Sequence, residues 1–142
     1  MRLSDVLGHP VVTTDAAEEI GRIATAIIDP AEHRVVGFRI GDDLVLPIDD
    51  LTGIGADAVT APGRDAVRLP STDVEVRWLE DSLDIADRPV LSDQGQELPL
   101  VRDLEFEAST GEIEAIVFPD RRIDGTQLVG IGRFAVVVRE PD

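Results

Sequence analysis

The chain lacks cysteine and lysine, and it has a single tryptophan. Without cysteine it can form no disulfide and carry out no thiolate chemistry. All 13 basic residues are arginine, which indicates genomic bias or adaptation to salt rather than a mechanism. The amino terminus has no apolar signal core, and no run approaches the ~18 apolar residues of a membrane helix. The sequence therefore predicts neither a signal peptide nor a membrane span, and we expect a cytoplasmic protein.

Positive charge is scarce. The 13 arginines are outnumbered by 29 aspartates and glutamates, so the net charge is −16 at pH 7. Surfaces that bind nucleic acid need clustered basic residues, and anionic lipid attracts the same residues. This balance argues against direct binding of nucleic acid and against direct membrane insertion. It leaves open a basic protein partner.

Hydrophobic residues, in contrast, are plentiful. They make up 43% of 142 residues, which is enough for one ordinary domain or two very small ones. The stretch 20–40 predicts two strands joined by a turn at Pro30, because proline fixes its own φ and favours chain reversal there. The same outline returns at 98–118 with a turn around Gly111. A repeat of ~79 residues, present twice, indicates a tandem duplication rather than a solenoid.

The first copy is predicted to span residues 1–61, with helical turns and short strands. The helical turns are expected at 3–8 and 48–51, and the strands at 10–13, 19–29, 35–40, 44–46 and 58–60.

A linker is predicted at 62–84, because prolines and glycine interrupt its start. Within it, residues 74–76 are expected to form an added strand and residues 77–84 a helical turn. The second copy is predicted to span 85–142. Its main strands are expected at 101–107, 112–118, 127–131 and 134–139.

Alternation of apolar residues predicts the inward face of the hairpins. Ile23 and Val101 have the opposite parity and are nevertheless apolar, so a bulge or bend is expected to bring both sets inside. The inward set is predicted to be Ala26, Ile28, Phe38 and Ile40 in the first copy and Leu104, Phe106, Ile116 and Phe118 in the second.

These features resemble the PRC-barrel family. The resemblance lies in the leading turn 3–8, the strand segment 19–23, and the ending of strand, proline and helical turn at 46–51. It covers residues 1–61 well. The fold that it implies is all-β, with two tandem small β-barrels of PRC-barrel type and short helical turns.

The second copy departs from the family pattern. Pro99 stands where the first copy has Gly21, and Gly130 is aligned with Pro47. The family has no shared catalytic residues, and its members mostly dock on ribosomal proteins, membrane complexes or cell-division partners. The resemblance therefore implies a non-catalytic adaptor with an unidentified protein partner, able to form a homodimer.

Two other functions stay open. One is a domain that senses a small ligand or a divalent cation through its acidic loops or a cleft between the barrels. The other is an RNA-processing, ribosome-associated factor that acts through a basic protein partner, since the charge argues against direct RNA contact.

The polar residues form no recognisable catalytic or metal-binding pattern. His9 and His33 lack the spacing of a zinc site and are expected at the surface. The acidic pair 42–43 is expected at a solvated hairpin tip, and the pair 49–50 is expected to cap the helical turn rather than to hold a cation. We expect no catalytic residues, no metal ligands and no cofactor.

Glycine and serine motifs also favour structural roles. The Gly-x-Gly motifs at 53–55 and 130–132 lack the third glycine of a dinucleotide site and are expected to form tight bends at barrel rims. Ser82, Ser92 and Ser109 have no histidine predicted nearby to act as a base, so no enzyme is expected.

Three further features bear on packing. Trp78 is expected at the seam between the copies, with contact to a partner as the alternative. The pair 121–122 is expected in a solvated loop. The apolar run 134–139 is too continuous for a half-exposed strand. We expect it to be buried between the barrels, or else covered by a partner or a second copy of the chain.

Overall fold

A computed structural model of the chain describes residues 1–139 and is mostly β, which confirms the predicted all-β class. Its strands are β1 (Pro10–Thr13), β2 (Glu19–Asp29), β3 (Arg34–Ile40), β4 (Leu44–Pro47), β5 (Gly53–Ile54), β6 (Val59–Ala61), β7 (Val90–Ser92), β8 (Glu97–Leu98), β9 (Asp103–Phe106), β10 (Ile113–Val117), β11 (Arg122–Asp124), β12 (Leu128–Ile131) and β13 (Val136–Val138).

Helical structure in the described chain is limited to short segments. There is one α-helix, α1 (Asp73–Glu80). The 3₁₀ turns are Leu3–Asp5, Ile48–Asp50, Arg64–Ala66 and Gly125–Gln127.

The first six strands form one sheet in the order β4-β3-β2-β1-β6-β5. Neighbours are antiparallel except for β1 and β6, which are parallel. The strands predicted for residues 1–61 are confirmed to within one residue at each end. The exception is β5, a short strand at a position that the sequence assigned to a bend.

The long strand β2 bends as predicted. Its register against β3 shifts between Ile23 and Thr25 and again between Ile27 and Ile28. Such shifts let neighbouring residues of opposite parity point to the same side, and Ile23, Ile27 and Ile28 are all buried. The eight predicted inward residues are likewise all buried: Ala26, Ile28, Phe38, Ile40, Leu104, Phe106, Ile116 and Phe118.

The second half uses the same order of pairing but splits it into two sheets. The order β12-β13-β7-β8 corresponds to β5-β6-β1-β2, and the order β11-β10-β9 corresponds to β4-β3-β2. The counterpart of β2 is divided into β8 and β9, with Pro99 in the gap. Proline has no N–H to donate, so the ladder stops there. The division into domains 1–61, 62–84 and 85–142 stays a prediction.

The strand predicted at 127–131 is present as β12 (Leu128–Ile131), but its assignment as the fourth strand of the second half is wrong. The place beside β10 is taken by β11, and β12 is the counterpart of β5. In β11 only Ile123 is buried, and Arg122, predicted in a loop, pairs with Glu105. One apolar residue between two charged ones gives no strand pattern, which explains the error.

This changes the alignment of the two halves. Gly37 pairs with Pro47 in the first half, and Ala115 pairs with Asp124 in the second. Asp124, and not Gly130, therefore stands at the position of Pro47.

The sheets do not close into the barrels that the sequence predicted. Within residues 1–139 the strand orders leave β4 and β5, β11 and β9, and β12 and β8 at sheet edges. The segment after β6 covers the edge of β4. The Val45 N–H donates to the Arg68 carbonyl at 2.8 Å, and the Arg68 N–H donates to the Val45 carbonyl at 2.9 Å. Covering an edge in this way protects it from pairing with another chain.

The predicted strand at 74–76 is wrong, because this segment lies in α1. Thr72 precedes the helix, and its hydroxyl accepts a hydrogen bond from the Glu75 N–H at 3.2 Å. The Glu75 carboxylate accepts one from the Thr72 N–H, also at 3.2 Å. This capping box satisfies two free N–H groups of the first turn, which outweighs the strand preference of two valines.

Glu75 also fastens α1 to the covered edge. Its buried carboxylate binds both terminal nitrogens of Arg68, at 2.8 and 2.9 Å, and accepts a bond from the Ser71 N–H at 3.0 Å. Burial is the largest influence and raises the pKa of Glu75. The hydrogen bonds from Arg68 and from two backbone N–H groups together outweigh it and lower the pKa to about 2.

The two halves share one core. The rings of Phe38 and Phe106 contact each other with centroids 6.2 Å apart, within a single cluster of buried apolar residues. The Val35 N–H donates to the Gly111 carbonyl at 2.7 Å. Gly111 has φ +81°, and a Cβ there would overlap the carbonyl oxygen of Val35, so the contact requires glycine.

Candidate functional site

A groove of about 650 Å³ opens between the two halves. The wall is formed by the end of β2 with the turn that follows it and by α1, which contacts β2, and the floor is the outer face of β7, β12 and β13. This volume lies within the range of ordinary ligand-binding clefts. Most of the lining is apolar, with Ile28, Pro30, Val74, Trp78, Leu91 and Val137 among its residues.

Strand register explains the apolar floor. Leu91 lies opposite Val137 in the parallel pair, and Gly130 lies opposite Val137 in the antiparallel pair. Val137 alternates with Val136 and Val138, which are buried on the inner face. Leu91, Val137 and Gly130 therefore form one row on the outer face. Gly130 has open space where a side chain would stand, which deepens the floor at that end.

Two large apolar side chains stand exposed at the rim. Phe134, in the turn between β12 and β13, is 75% exposed, and Val129 is 48% exposed. The inward valines of the run 134–139 are buried as predicted, but Val137 on the outer side is only half-buried. Residues 1–139 therefore leave this face of β13 partly uncovered.

Trp78 lies in the wall that α1 provides. Its side chain is 1% exposed and belongs to the shared core, which confirms its predicted packing between the halves. Its indole Nε1 is buried and has no hydrogen-bond acceptor among the described residues. A buried donor without an acceptor costs roughly 1–3 kcal/mol. Trp78, which carries this unsatisfied donor, is one of the residues that line the groove.

Three arginines gather around Gly132 at one end of the groove. Arg88 donates to the Gly132 carbonyl at 2.8 Å. Arg77 and Arg133 share one carboxylate, with their Nε atoms 3.7 and 4.0 Å from the oxygens of Asp81. Of these three, Arg77 and Arg133 line the groove and Arg88 does not, in a chain whose net charge is −16.

Among residues 1–139, one carboxylate lines the groove. Asp29 lines the groove, and its Oδ1 accepts a hydrogen bond from the Ala31 N–H at 3.0 Å. Among the described residues, the charged side chains that line the groove are therefore two arginines and one aspartate, an excess of one positive charge. The groove is thus a positive, apolar region on an acidic protein.

The two histidines do not line this groove. His9 places its Nε2 2.8 Å from the Ala56 carbonyl, and His33 occupies the turn after β2 with φ +54°. Both are half-buried. Across residues 1–139, no three histidine, aspartate or glutamate side chains come together where they could hold a metal ion.

The acidic pairs differ in outcome. The pair 42–43 lies at an exposed hairpin tip, as predicted. The pair 49–50 lies inside the 3₁₀ turn Ile48–Asp50 and does not cap it, so that prediction is wrong. The capping position before the turn is occupied by Pro47, whose side chain cannot accept a hydrogen bond. Both aspartates come after this position, within the turn itself.

The Gly-x-Gly motifs are only partly the bends that the sequence predicted. Gly53 and Gly130 lie inside strands, where each faces the outer side of its sheet. Gly55 and Gly132 begin turns, and their N–H groups donate to the carbonyls three residues on, at 2.9 and 3.0 Å. The motifs therefore end strands and start turns, and neither cradles a phosphate-binding helix.

Ser92, Ser109 and the arginine pair 121–122 make contacts within their own turns and sheets. The buried Ser92 hydroxyl accepts bonds from two backbone N–H groups of its turn, and the Ser109 hydroxyl donates to Glu107 at 2.8 Å. Arg122 extends from β11, and Arg121 lies 5.9 Å from the ring centre of Phe118.

Sequence reasoning missed the groove itself. Its arginines are separated by 11 and 45 positions in the chain, so no charge cluster is visible in the sequence. The signal that was visible is the apolar run of the last strand. It indicated an uncovered face but not the wall opposite.

Comparison with known proteins gives one match. The family model for the PRC-barrel domain matches residues 1–74, which is more than half of the chain. The matched region contains the turn wall of the groove and the first residues of α1, and it ends before the strands of the floor. A search of curated proteins finds no match. Among the described helices, none has the length and apolar character needed to cross a membrane.

Proposed function

We propose, from the premise that this chain belongs to the PRC-barrel family, that it is a non-catalytic protein–protein interaction module whose binding surface is the groove between its halves. The observation that carries the proposal is Phe134, exposed at the rim of an apolar floor. Large exposed apolar patches are rare on monomeric proteins, and those that occur commonly mark binding surfaces.

The composition of the groove supports a protein partner. Protein interfaces have an apolar centre in which aromatic residues and arginine are enriched and other charged residues are rare. Phe134 supplies an exposed aromatic group, and Arg77 and Arg133 supply the guanidinium groups. A partner side chain placed on the row around Val137 would complete the burial that the single chain leaves unfinished.

The same composition gives no support to catalysis. Acid–base catalysis needs a group that exchanges a proton near neutral pH, and covalent catalysis needs an activated nucleophile. Of the residues that the structure describes, the ionisable side chains lining the groove are Asp29, Arg77 and Arg133, and arginine stays protonated at any physiological pH. Neither sensing of a cation nor action on a basic ribosomal protein is favoured by a positive groove.

Site-specific photo-crosslinking tests the proposal in cells that express the chain. Benzoylphenylalanine replaces Phe134 in one variant and Leu69 in another. Leu69 is a suitable control because it is 67% exposed, similar to Phe134, and does not line the groove. Irradiated complexes are isolated under denaturing conditions and identified by mass spectrometry.

We expect a defined protein adduct from position 134 and only background from position 69. The Val137→Thr change, combined with the label at position 134, should reduce the adduct. Equal, diffuse labelling from both positions would contradict the proposal, since it would show that exposure alone determines capture.

A further inference from the structure

The charge and shape of the groove identify the kind of partner segment that it fits. We infer that the groove binds an extended peptide segment in which apolar side chains are followed by a carboxylate. This inference rests on the proposed function above and adds the chemistry of the partner.

The carboxylate follows from the arginine cluster. Arg77 and Arg133 are 65% and 79% exposed, and both lie at long distances from the single carboxylate of Asp81. Their donors are therefore available to a second carboxylate, and planar guanidinium groups suit carboxylates well. On a surface of net charge −16, an acidic segment is repelled in general and attracted at this place.

The apolar side chains follow from the floor. The row Leu91, Val137 and Gly130 offers aliphatic surface with space above the glycine, and Phe134 borders it. This surface continues to the arginine cluster, because Gly132 lines the groove and its carbonyl binds Arg88. An occupant needs its apolar groups on one side and its charge at the end near Gly132.

The extended conformation follows from β12. Within the described chain, β12 pairs with β13 on one side and has no strand on the other. Residues 129–131 of this edge strand line the groove. A peptide paired with this edge gains backbone hydrogen bonds, and the side chains on its groove-facing side lie next to Gly130, where the floor has open space.

A second copy of this chain fits less well. A two-fold symmetric dimer would place the groove against itself, since the same patch meets on both subunits. Two concave floors would leave the volume between them unfilled. Homodimerisation is therefore an alternative outcome of the test and not the inference.

The test uses the full chain and a library of random peptides displayed on phage. Peptides selected on the wild-type protein are sequenced. One recovered peptide is then synthesised with its acidic residues intact, replaced by the neutral amides, or replaced by lysine. Affinities are measured by fluorescence anisotropy at low and high salt.

The protein variants are a matched pair. Arg77→Gln with Arg133→Gln removes the charge at the groove. Arg64→Gln removes a similarly exposed arginine that pairs with Glu18 and does not line the groove. We expect recovered peptides rich in Phe or Leu followed by Asp or Glu, and about tenfold weaker binding by the amide peptide, as for one charged contact. The double variant should lose this preference, and Arg64→Gln should keep it.

Several outcomes would overturn the inference. They are recovery of basic or uncharged peptides, no enrichment at all, or affinities that do not respond to the double variant. Sedimentation that shows a dimer which Val137→Thr disrupts would assign the groove to a second copy. If any of these occurs while position 134 still captures a different protein in cells, the inference fails and the proposed function stands. If position 134 gives only background, the proposed function fails.

Discussion

The two halves of the molecule present the same three-strand row with different chemistry. Strand register places Gly53, Thr60 and Val12 in the row of the first half and Gly130, Val137 and Leu91 in the row of the second. In the first half the Thr60 hydroxyl donates to the Gly53 carbonyl at 3.4 Å, so its polar group bonds within its own sheet. In the second half Val137 offers only methyl groups to the solvent.

The apolar outer row lies outside the region that the family model matches. The half matched by the family model has an outer row suited to water, and the apolar row lies in the half beyond the match. Both rows have the same backbone pairing and the same glycine at the sheet edge. The rows differ at two positions, where Thr60 stands against Val137 and Val12 stands against Leu91, and only the first of these exchanges a polar group for an apolar one.

The largest effect is expected where the halves meet. Phe38→Ala and Phe106→Ala should each lower the free energy of unfolding by about 4 kcal/mol, because both rings are fully buried. Since the rings contact each other, the double variant should lose about 1 kcal/mol less than the sum. Urea unfolding followed by Trp78 fluorescence and by far-UV circular dichroism measures both quantities. Two separate transitions, or strict additivity, would mean that the halves fold independently.

A pair of glycines isolates the close backbone contact between the halves. Gly111 and Gly95 both have φ +81°, but a Cβ at Gly95 meets nothing within 4 Å. Gly95→Ala should cost about 1 kcal/mol from the backbone conformation alone. Gly111→Ala adds the collision with the Val35 carbonyl and should cost about 3 kcal/mol or more. Equal losses of unfolding free energy in urea would show that the contact is not tight.

The attachment of α1 should depend on pH. The folded-state pKa of Glu75 is about 2, below its ordinary 4.5, so its ionised form contributes stability that is full above pH 4.5. That contribution falls as the pH drops from about 4.5 to 2, and it amounts to about 3 kcal/mol at most. The difference in unfolding free energy between wild type and Glu75→Gln should therefore shrink over this interval. A constant difference would show that the carboxylate is not held ionised by its partners.

The smallest stability effects are expected in the two outer rows. Val137→Thr and Thr60→Val exchange the chemistry of the rows at half-buried positions. Each should change the free energy of unfolding by less than about 1 kcal/mol, because no buried contact is lost. Thermal denaturation checks this. A loss of several kcal/mol from either change would make the rows structural rather than functional.

The sequence predicted the first half almost completely. Strong alternation, a proline turn and β-branched runs define β1 to β4, and even the bend in β2 follows from two apolar residues of opposite parity. The second half was predicted less well, since β11 carries charge on both sides of Ile123 and Pro99 divides the counterpart of β2. Strand 74–76 was misassigned because the capping box of Glu75 outweighs local strand preference.

The candidate site was largely hidden from the sequence. Arg77, Arg88 and Arg133 lie in three separate segments of the chain, and only the tertiary fold brings them together. The open face of β13 was indicated by its continuous apolar run. The floor could thus be anticipated, whereas the walls depend on contacts between distant segments.

The most direct test compares the adduct at position 134 in three backgrounds: the otherwise unchanged protein, Val137→Thr and Thr60→Val. If the outer row of the second half is the binding surface, Val137→Thr should remove most of the adduct and Thr60→Val should leave it unchanged. Equal adduct in all three backgrounds, with all three proteins folded, would contradict this assignment.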